Sequence, residues 1–350
     1  MKSNYDVLGN HIRLIDTRNK DLVTEQVLGI NIDKFFMPSV ANVIGTDLSK
    51  YKLITKGKFA CNPMHVGRDE RLPVALYTED TPAIVSPAYF MFEIIDSAVL
   101  NEEYLMMWFR RPEFDRLCWL RTDGSVRGGI TWDDICRMEI PVPPMEKQLE
   151  IVRSYQAITE RIAIKKQIND NLEAMLTAVF FDAFSSKETA ERSKLSELIS
   201  FGNGKSRPKT DGTIPVYGGN GVLSYTDQHN IENAILIGRV GAYCGSVYLE
   251  QGICWVSDNA IYAKSKISKD EFFDYFLLKG LNLFNHHVGT GQQLLTQEIL
   301  NNIEVAKPNI VQVEAFNEKA KSVFETILAN RNEIVRLQEL SDLLLSRLAG

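Results

Sequence analysis

Two stretches of the chain place apolar residues at alternating steps of four and three. In the first, Ile151, Tyr155, Ile158, Ile162, Lys165, Asn169, Leu172, Leu176 and Val179 mark one face. In the second, the same steps run through Phe316, Ala320, Val323, Ile327, Asn330, Ile334, Leu337, Ser341 and Leu344. This spacing is the a/d seam of a coiled coil, and neither stretch contains glycine or proline. Each stretch therefore predicts one long helix, and the pattern predicts that the two pair with each other, antiparallel, within the chain. Lys165, Asn169, Asn330 and Ser341 put polar groups on the seam, where such groups cost stability but set register and orientation. From Ile151 to Val179 the helix should run roughly 42 Å at ~1.5 Å per residue. That is a little more than one turn of duplex DNA, about 34–36 Å. Leu149, Val152, Phe180 and Phe181 are the apolar positions expected off the seam, on a face open to a partner.

The positions before the helices repeat as well. Residues 130–184 recur as 295–349, 165 places later. Thr131 matches Thr296, Asp133 matches Glu298, Ile135 matches Leu300, and Pro143 matches Pro308. Met138-Glu139-Ile140 matches Ile303-Glu304-Val305. Upstream, residues 27–32 and 83–95 have strand-like content broken by Pro82 and Pro87. Asn101 is placed to cap a helix that Pro112 ends or kinks. In the second half, residues 234–239, 246–249 and 260–264 read as strands, and residues 268–271 as a helix start. A glycine loop precedes each copy of the repeat, at 122–129 and at 289–293. The expected fold is α/β (α+β) with a pseudo-two-fold internal repeat. Two similar globular modules, residues 1–143 and 187–308, alternate with long helices at 144–186 and 309–350.

Charge and composition narrow the function only slightly. The formal net charge is −6, yet the modules carry basic runs. These are Lys50, Lys52, Lys56 and Lys58, then Arg110, Arg111, Arg116 and Arg121, then Lys205, Arg207 and Lys209. Basic faces and an acidic protein-binding surface can coexist on one such chain. The five cysteines, at 61, 118, 136, 244 and 254, form no CxxC pair. They fit reduced thiols in a cytoplasm. No run of eighteen apolar residues and no apolar N-terminal signal region predicts membrane insertion or export.

Catalytic patterns are missing. No GxGxxG, HExxH or GxSxG occurs, and Gly202-Asn203-Gly204-Lys205-Ser206 lacks the first glycine of a phosphate loop. Asn62-Pro63-Met64-His65 shares only two residues with the motif of amino-methyltransferases and lacks the stacking aromatic. The histidines are too scattered for a metal triad. No catalytic residue, metal site or cofactor is assigned to this chain.

The run Ile130-Thr131-Trp132-Asp133-Asp134-Ile135, followed by Ile140-Pro141-Val142-Pro143-Pro144-Met145-Glu146-Lys147-Gln148 and a long helix, resembles a known family. It is similar to the C-terminal edge of a target recognition domain in Type I restriction–modification specificity (S) subunits. Residues 204–208, 214–221, 237–245 and 257–260 resemble the body of a second such domain, and Val85-Ser86-Pro87-Ala88-Tyr89 fits the first. The second proline motif, Val305-Ala306-Lys307-Pro308-Asn309, departs from the pattern. The resemblance implies a non-catalytic subunit that reads double-stranded DNA at an asymmetric bipartite site. Its implied partners are two methyltransferase (modification) subunits, which bind S-adenosylmethionine and methylate adenine, and a restriction/translocase subunit. The helices would act as a ruler between the two reading heads.

Residue chemistry suggests the readers. Arg and Lys suit guanine, Asn and Gln suit adenine, and glycine loops expose amides to phosphates. In the first module the expected DNA contacts are Asn62, His65, Arg68, Arg71 and Arg127. In the second they are Lys205, Arg207, Tyr217, Asn220, Arg239, Tyr243, Gln292 and Gln293. Arg127 and Gln292 occupy the same repeat position (292 − 127 = 165), as suits heads that read different sequences. The other reading of this layout is a coiled-coil scaffold whose two modules bind proteins.

Overall fold

The computed structural model describes residues 5–40, 44–122, 128–184, 191–289, 291 and 293–349, without the side chains of residues 65, 68 and 349. The chain divides into two compact units. One holds Met1–Ile164 with Glu333–Gly350, and the other holds Lys165–Asn332. Each long helix is thus shared between both units.

In the first unit, β1 (Tyr5–Val7), β2 (Ile12–Ile15), β3 (Val27–Ile30), β4 (Phe36–Pro38) and β5 (Lys52–Ile54) precede β6 (Phe59–Cys61) and a short helix α1 (Val66–Asp69). Then come β7 (Val74–Leu76), β8 (Ala83–Val85), β9 (Phe90–Ile94), α2 (Glu102–Phe109), α3 (Pro112–Leu120), α4 (Trp132–Cys136), β10 (Glu139–Pro141) and α5 (Met145–Phe184). Among the described residues the strands form sheets ordered β2–β9–β6–β7 and β4–β3–β8–β5, plus the pair β1–β10. Ile54, Ala60, Val85 and Met91 fill a small core near these sheets, and a larger core packs Phe59 and Phe92 against Trp108, Phe109 and Phe114. Burial of these aromatic rings, rather than strand propensity over three-residue strands, drives assembly here. Asn101 caps α2 as its sequence suggests, its side chain accepting from Tyr104 N at 3.0 Å. Pro112 opens α3 at a position that needs no amide donor.

The second unit continues with β11 (Arg192–Lys194), α6 (Leu195–Leu198), β12 (Ile199–Asn203), β13 (Ile214–Gly218), β14 (Gly221–Thr226), β15 (Ile231–Gly238), β16 (Val247–Val256) and β17 (Ala260–Ser265). α7 (Phe272–Gly280), α8 (Gln297–Asn302), β18 (Glu304–Ala306) and α9 (Ile310–Ser346) complete it. Its sheet runs β12–β17–β15–β16–β13–β14 among the described residues. Ile235, Ile237, Ile261 and Ala263 belong to a core shared with α7 and the long helices, while Leu236, Cys254 and Val256 belong to a second, smaller core with Tyr217.

The repeat is visible in both units. Thr131 caps α4 by accepting from Asp134 N at 3.1 Å, and Thr296 caps α8 by accepting from Ile299 N at 3.2 Å. Asp6 lies opposite Ile140 in one two-stranded pair, and Ser193 lies opposite Val305, the repeat mate of Ile140, in the other. A buried amide on each long helix also anchors a short one. Gln148 accepts from Asn101 N at 2.9 Å, and Asn317 accepts from Phe273 N at 2.7 Å. The start of α7, read from residues 268–271, has no side-chain cap of its own, so Asn317 supplies the missing acceptor.

The long helices pair antiparallel within each unit. In the first, Arg161 bonds Glu333, and Val152 shares a core with Leu345 and Leu348. In the second, Lys165 Nζ donates to Asn330 at 2.8 Å, Asn330 donates to Asn169 at 2.8 Å, and Phe180 packs against Phe316. The expected seam positions Ile162, Leu176, Phe316, Ala320, Ile327, Asn330 and Ser341 are buried. Ile151, Tyr155, Ile158, Leu172, Val323, Ile334, Leu337 and Leu344 are half-buried. Three apolar assignments change. Val179 is exposed while Phe180 is buried, because the seam takes a step of four into a cluster of Phe180, Phe184, Phe273 and Phe316. Val152 is likewise core rather than surface. Phe181 remains exposed and Leu149 is half-buried.

Candidate nucleic-acid interface

In the second unit, three backbone segments converge on the turn Ser257-Asp258-Asn259, and two more join each other beside it. Lys205 N donates to Val256 O at 2.9 Å, and Ser257 N donates to Tyr217 O at 2.9 Å. Arg239 N donates to Asn259 O at 3.0 Å, and Gly241 N donates to Gln293 O at 3.1 Å. Glycine permits this density. A Cβ at Gly204 would sit 1.9 Å from Ser257 O, and one at Gly238 would sit 2.2 Å from Tyr243 O and 2.7 Å from Gly219 O. The structure therefore brings Lys205, Asn220, Arg239, Tyr243 and Gln293 into one loop cluster. Lys205, Asn220 and Tyr243 are exposed, whereas Arg239 and Gln293 are half-buried. The Arg239 guanidinium also reaches Asp258 O at 3.4 Å. Arg207 is exposed on the segment leading away from Lys205. Gln292 lies outside the described residues.

Tyr217 does not join this surface. It is 9% exposed, and its hydroxyl donates to Glu250 at 2.8 Å. Burial and the Glu250 carboxylate push its ionisation far above the usual phenol range. An aromatic between glycine and valine in a strand reads equally well as core or as reader, and here the strand faces the smaller core.

The first unit assembles a related but smaller arrangement. Asn62 caps the turn Pro63–His65 by accepting from Met64 N at 3.1 Å. The glycine loop closes onto that turn and onto α1, as Gly67 N donates to Gly128 O at 2.9 Å and Ile130 N donates to Pro63 O at 3.2 Å. The backbone that carries His65 and Arg68 therefore lies against the end of the loop. The side chains of His65 and Arg68, and all of Arg127, lie outside the described residues. Arg71 is exposed and bonds Asp33 at 3.2 Å. It lines a charged cleft with Arg110, Arg116, Tyr155 and Gln338.

Two positioning residues carry no sequence signal. Lys34 is buried and donates to Asp115 at 2.7 Å, while the same carboxylate oxygen accepts from Leu72 N at 3.1 Å. This pair ties the β3–β4 turn and the segment after α1 to α3. Burial pulls the Lys34 ammonium below its usual range and the Asp115 charge opposes that. Asn230 grips Val256 through both its backbone donor and acceptor, at 2.8 and 3.0 Å. An isolated lysine or asparagine in a loop looks like solvated surface, so neither stands out. Among the described residues no group of three His, Cys, Asp or Glu is placed to hold a metal ion, and no helix is long and apolar enough to cross a membrane.

Each unit is thus an α/β module with a polar loop cluster, joined to part of the antiparallel helix pair. Residues 187–338 match the family model described as the Type I restriction modification DNA specificity domain. An S subunit of the Type I restriction–modification system from M. genitalium has the same fold, with a TM-score of 0.62 at 16% identity over 98% of this chain and 95% of that one. A chain from a structure described as the structural basis of complex assembly and conformational transition of the type I R-M system aligns over 99% of this chain and 97% of its own, with 17% identity and a TM-score of 0.49. The HsdS subunit of Thermoanaerobacter tengcongensis aligns over 98% and 95%, with 15% identity and a TM-score of 0.36. No curated protein matches by sequence. The chain is thus similar, in its second half, to a Type I restriction modification DNA specificity domain. Throughout its length it has the fold of a Type I specificity subunit.

Proposed function

We propose that this chain is the sequence-reading subunit of a Type I restriction–modification system. Each module reads one half of an asymmetric bipartite DNA site. The observation that carries the reading is the coincidence of the specificity-domain match at 187–338 with the 165-residue repeat, which supplies a second, divergent reader on the same chain. In the second module Lys205, Arg207, Asn220, Arg239, Tyr243 and Gln293 form the contact set, and Asn62, His65, Arg68 and Arg127 form that of the first. Methyl transfer to adenine, with S-adenosylmethionine, belongs to two modification subunits, and cleavage to a restriction/translocase subunit. The assembly works in the cytoplasm, and the paired helices set the unread gap. Co-expression with a modification subunit, followed by genome-wide mapping of adenine methylation, tests this. A motif of two short specified halves with a fixed gap is expected. A stable complex that methylates no motif would favour the protein scaffold instead, as would binding insensitive to salt, because phosphate contacts weaken steeply as salt rises.

A further inference from the structure

The β13–β14 hairpin stands apart from the loop cluster and yet touches it at its tip. β14 is the edge strand of its sheet among the described residues. Three of its apolar side chains are exposed: Val222 at 43%, Leu223 at 47% and Tyr225 at 56%. Residues 214–226 contain no charged side chain. A flat apolar edge of this kind normally invites pairing and is defended by lysine, proline or a bulge. Here a bulge is present, and it falls at one residue. Val216 lies opposite Ser224 and Tyr217 opposite Val222, so Leu223 has no mate in register, and its side chain leans over Gly218 while staying half open to solvent. Bulges re-aim the side chain they carry.

Both ends of the hairpin are tied to cationic or polar loop segments. At the tip, Asn220 sits in the tight turn, and Gly219 lies against the strand end that leads into Arg239. At the base, Thr210 bonds Thr226 at 2.9 Å, and a Cβ on Gly212 would meet Thr226 C at 2.2 Å. The segment carrying Lys205, Arg207 and Lys209 therefore ends against the foot of β14. An uncharged two-stranded ribbon flanked by cations suits the floor of a groove whose rims are phosphates. Two strands ~4.8 Å apart with their side chains fill the ~12 Å major groove. Five strand residues span about 17 Å, the rise of roughly five base pairs.

We propose that the β13–β14 ribbon enters the major groove of the half-site read by the second module, and that Leu223 packs on the 5-methyl group of a thymine. The proposal rests on the DNA-reading function above and names the surface that performs it. Its occupant is duplex DNA rather than a protein strand because the ribbon is continuous with the cation-bearing loops.

The test uses the full chain with its modification subunit and a duplex bearing the mapped motif. Each thymine of the motif is replaced in turn by deoxyuridine, which removes only the methyl. One thymine in one half-site is expected to lose about three- to fivefold in affinity, the worth of one buried methyl group. Leu223→Ala should lose a similar factor on the thymine duplex and show no further loss on the deoxyuridine one. Leu223→Gln should behave likewise, and unchanged melting of both variants excludes misfolding as the cause. If no deoxyuridine substitution affects the wild-type protein, or if neither half-site contains thymine, the proposal is overturned. It is equally overturned if Leu223→Ala alters subunit assembly while leaving DNA affinity intact. Absence of any sequence preference would instead defeat the function on which it rests.

Discussion

At the scale of single residues, burial decides which polar groups are free to read a ligand. Tyr217 and Tyr243 look alike in sequence, yet one is spent on Glu250 and the other is 51% exposed. Tyr217→Phe should cost about 1 kcal/mol of stability, the net worth of one buried hydrogen bond, and leave the recognised motif unchanged. Melting curves and methylation maps of the same variant check both halves of that statement. Asp274 makes a sharper case. Burial on the inner face of α7 lifts its carboxyl to about 7, with Ser265 opposing the effect and the Glu271 charge adding to it. The unfolded chain releases this proton near the ordinary value of 3.8, so stability falls as pH rises from there to about 7 and is level beyond. Asp274→Asn should therefore stabilise the protein at pH 8, by roughly 2–4 kcal/mol at most, and have little effect near pH 4. Denaturant titrations at the two pH values decide it, and an equal effect at both would contradict the burial argument.

At the scale of elements, the helices were legible and much of the sheet was not. A seam written in steps of four and three depends only on local geometry, so burial follows it along both helices. The cap at Asn101 was legible for the same reason, whereas Thr131 and Thr296 stand out in the sequence only as repeat mates. The three-residue strands of the first unit carry too few alternations to register as a period, and their order depends on cores assembled from distant aromatics. The β13–β14 hairpin was hidden among glycines that read as turns. The Lys34–Asp115 pair joins positions far apart in sequence, so no window could contain it. The polar layer of Lys165, Asn169 and Asn330 allows an element-scale test. Asn330→Ala removes a bond to each of the other two and should lower the melting temperature. Replacing both Lys165 and Asn330 with leucine should raise it while loosening the register, as apolar seams do. Cysteine cross-linking along the seam reads the register directly.

At the scale of the whole molecule, the direction of helix pairing sets where the proposed ruler can be lengthened. Leu172 and Leu337 are repeat mates, so matched insertions would naturally be placed after them. Antiparallel pairing makes these the wrong partners. Lys165 meets Asn330, and Phe180 meets Phe316, so the level of Leu172 on α5 is met near Val323 on α9. Seven residues inserted after Leu172 and seven after Ser322 keep the heptad phase. They add about 10 Å of helix, and the unread gap should lengthen by roughly three base pairs. Methylation mapping gives the new gap, and an unchanged one would mean that the helices do not measure it.

Lys165 and Asn330 are each other's counterparts, 165 places apart, and they touch. Had the two halves remained identical after duplication, a single residue type would occupy both places and face itself. Two lysines there would set ammonium against ammonium, and such a seam would have no preference for unlike halves over like ones. A lysine facing an asparagine is satisfied only when unlike halves meet. That one divergence gives the repeated chain a way to tell its two halves apart, so the first helix favours the second over another first.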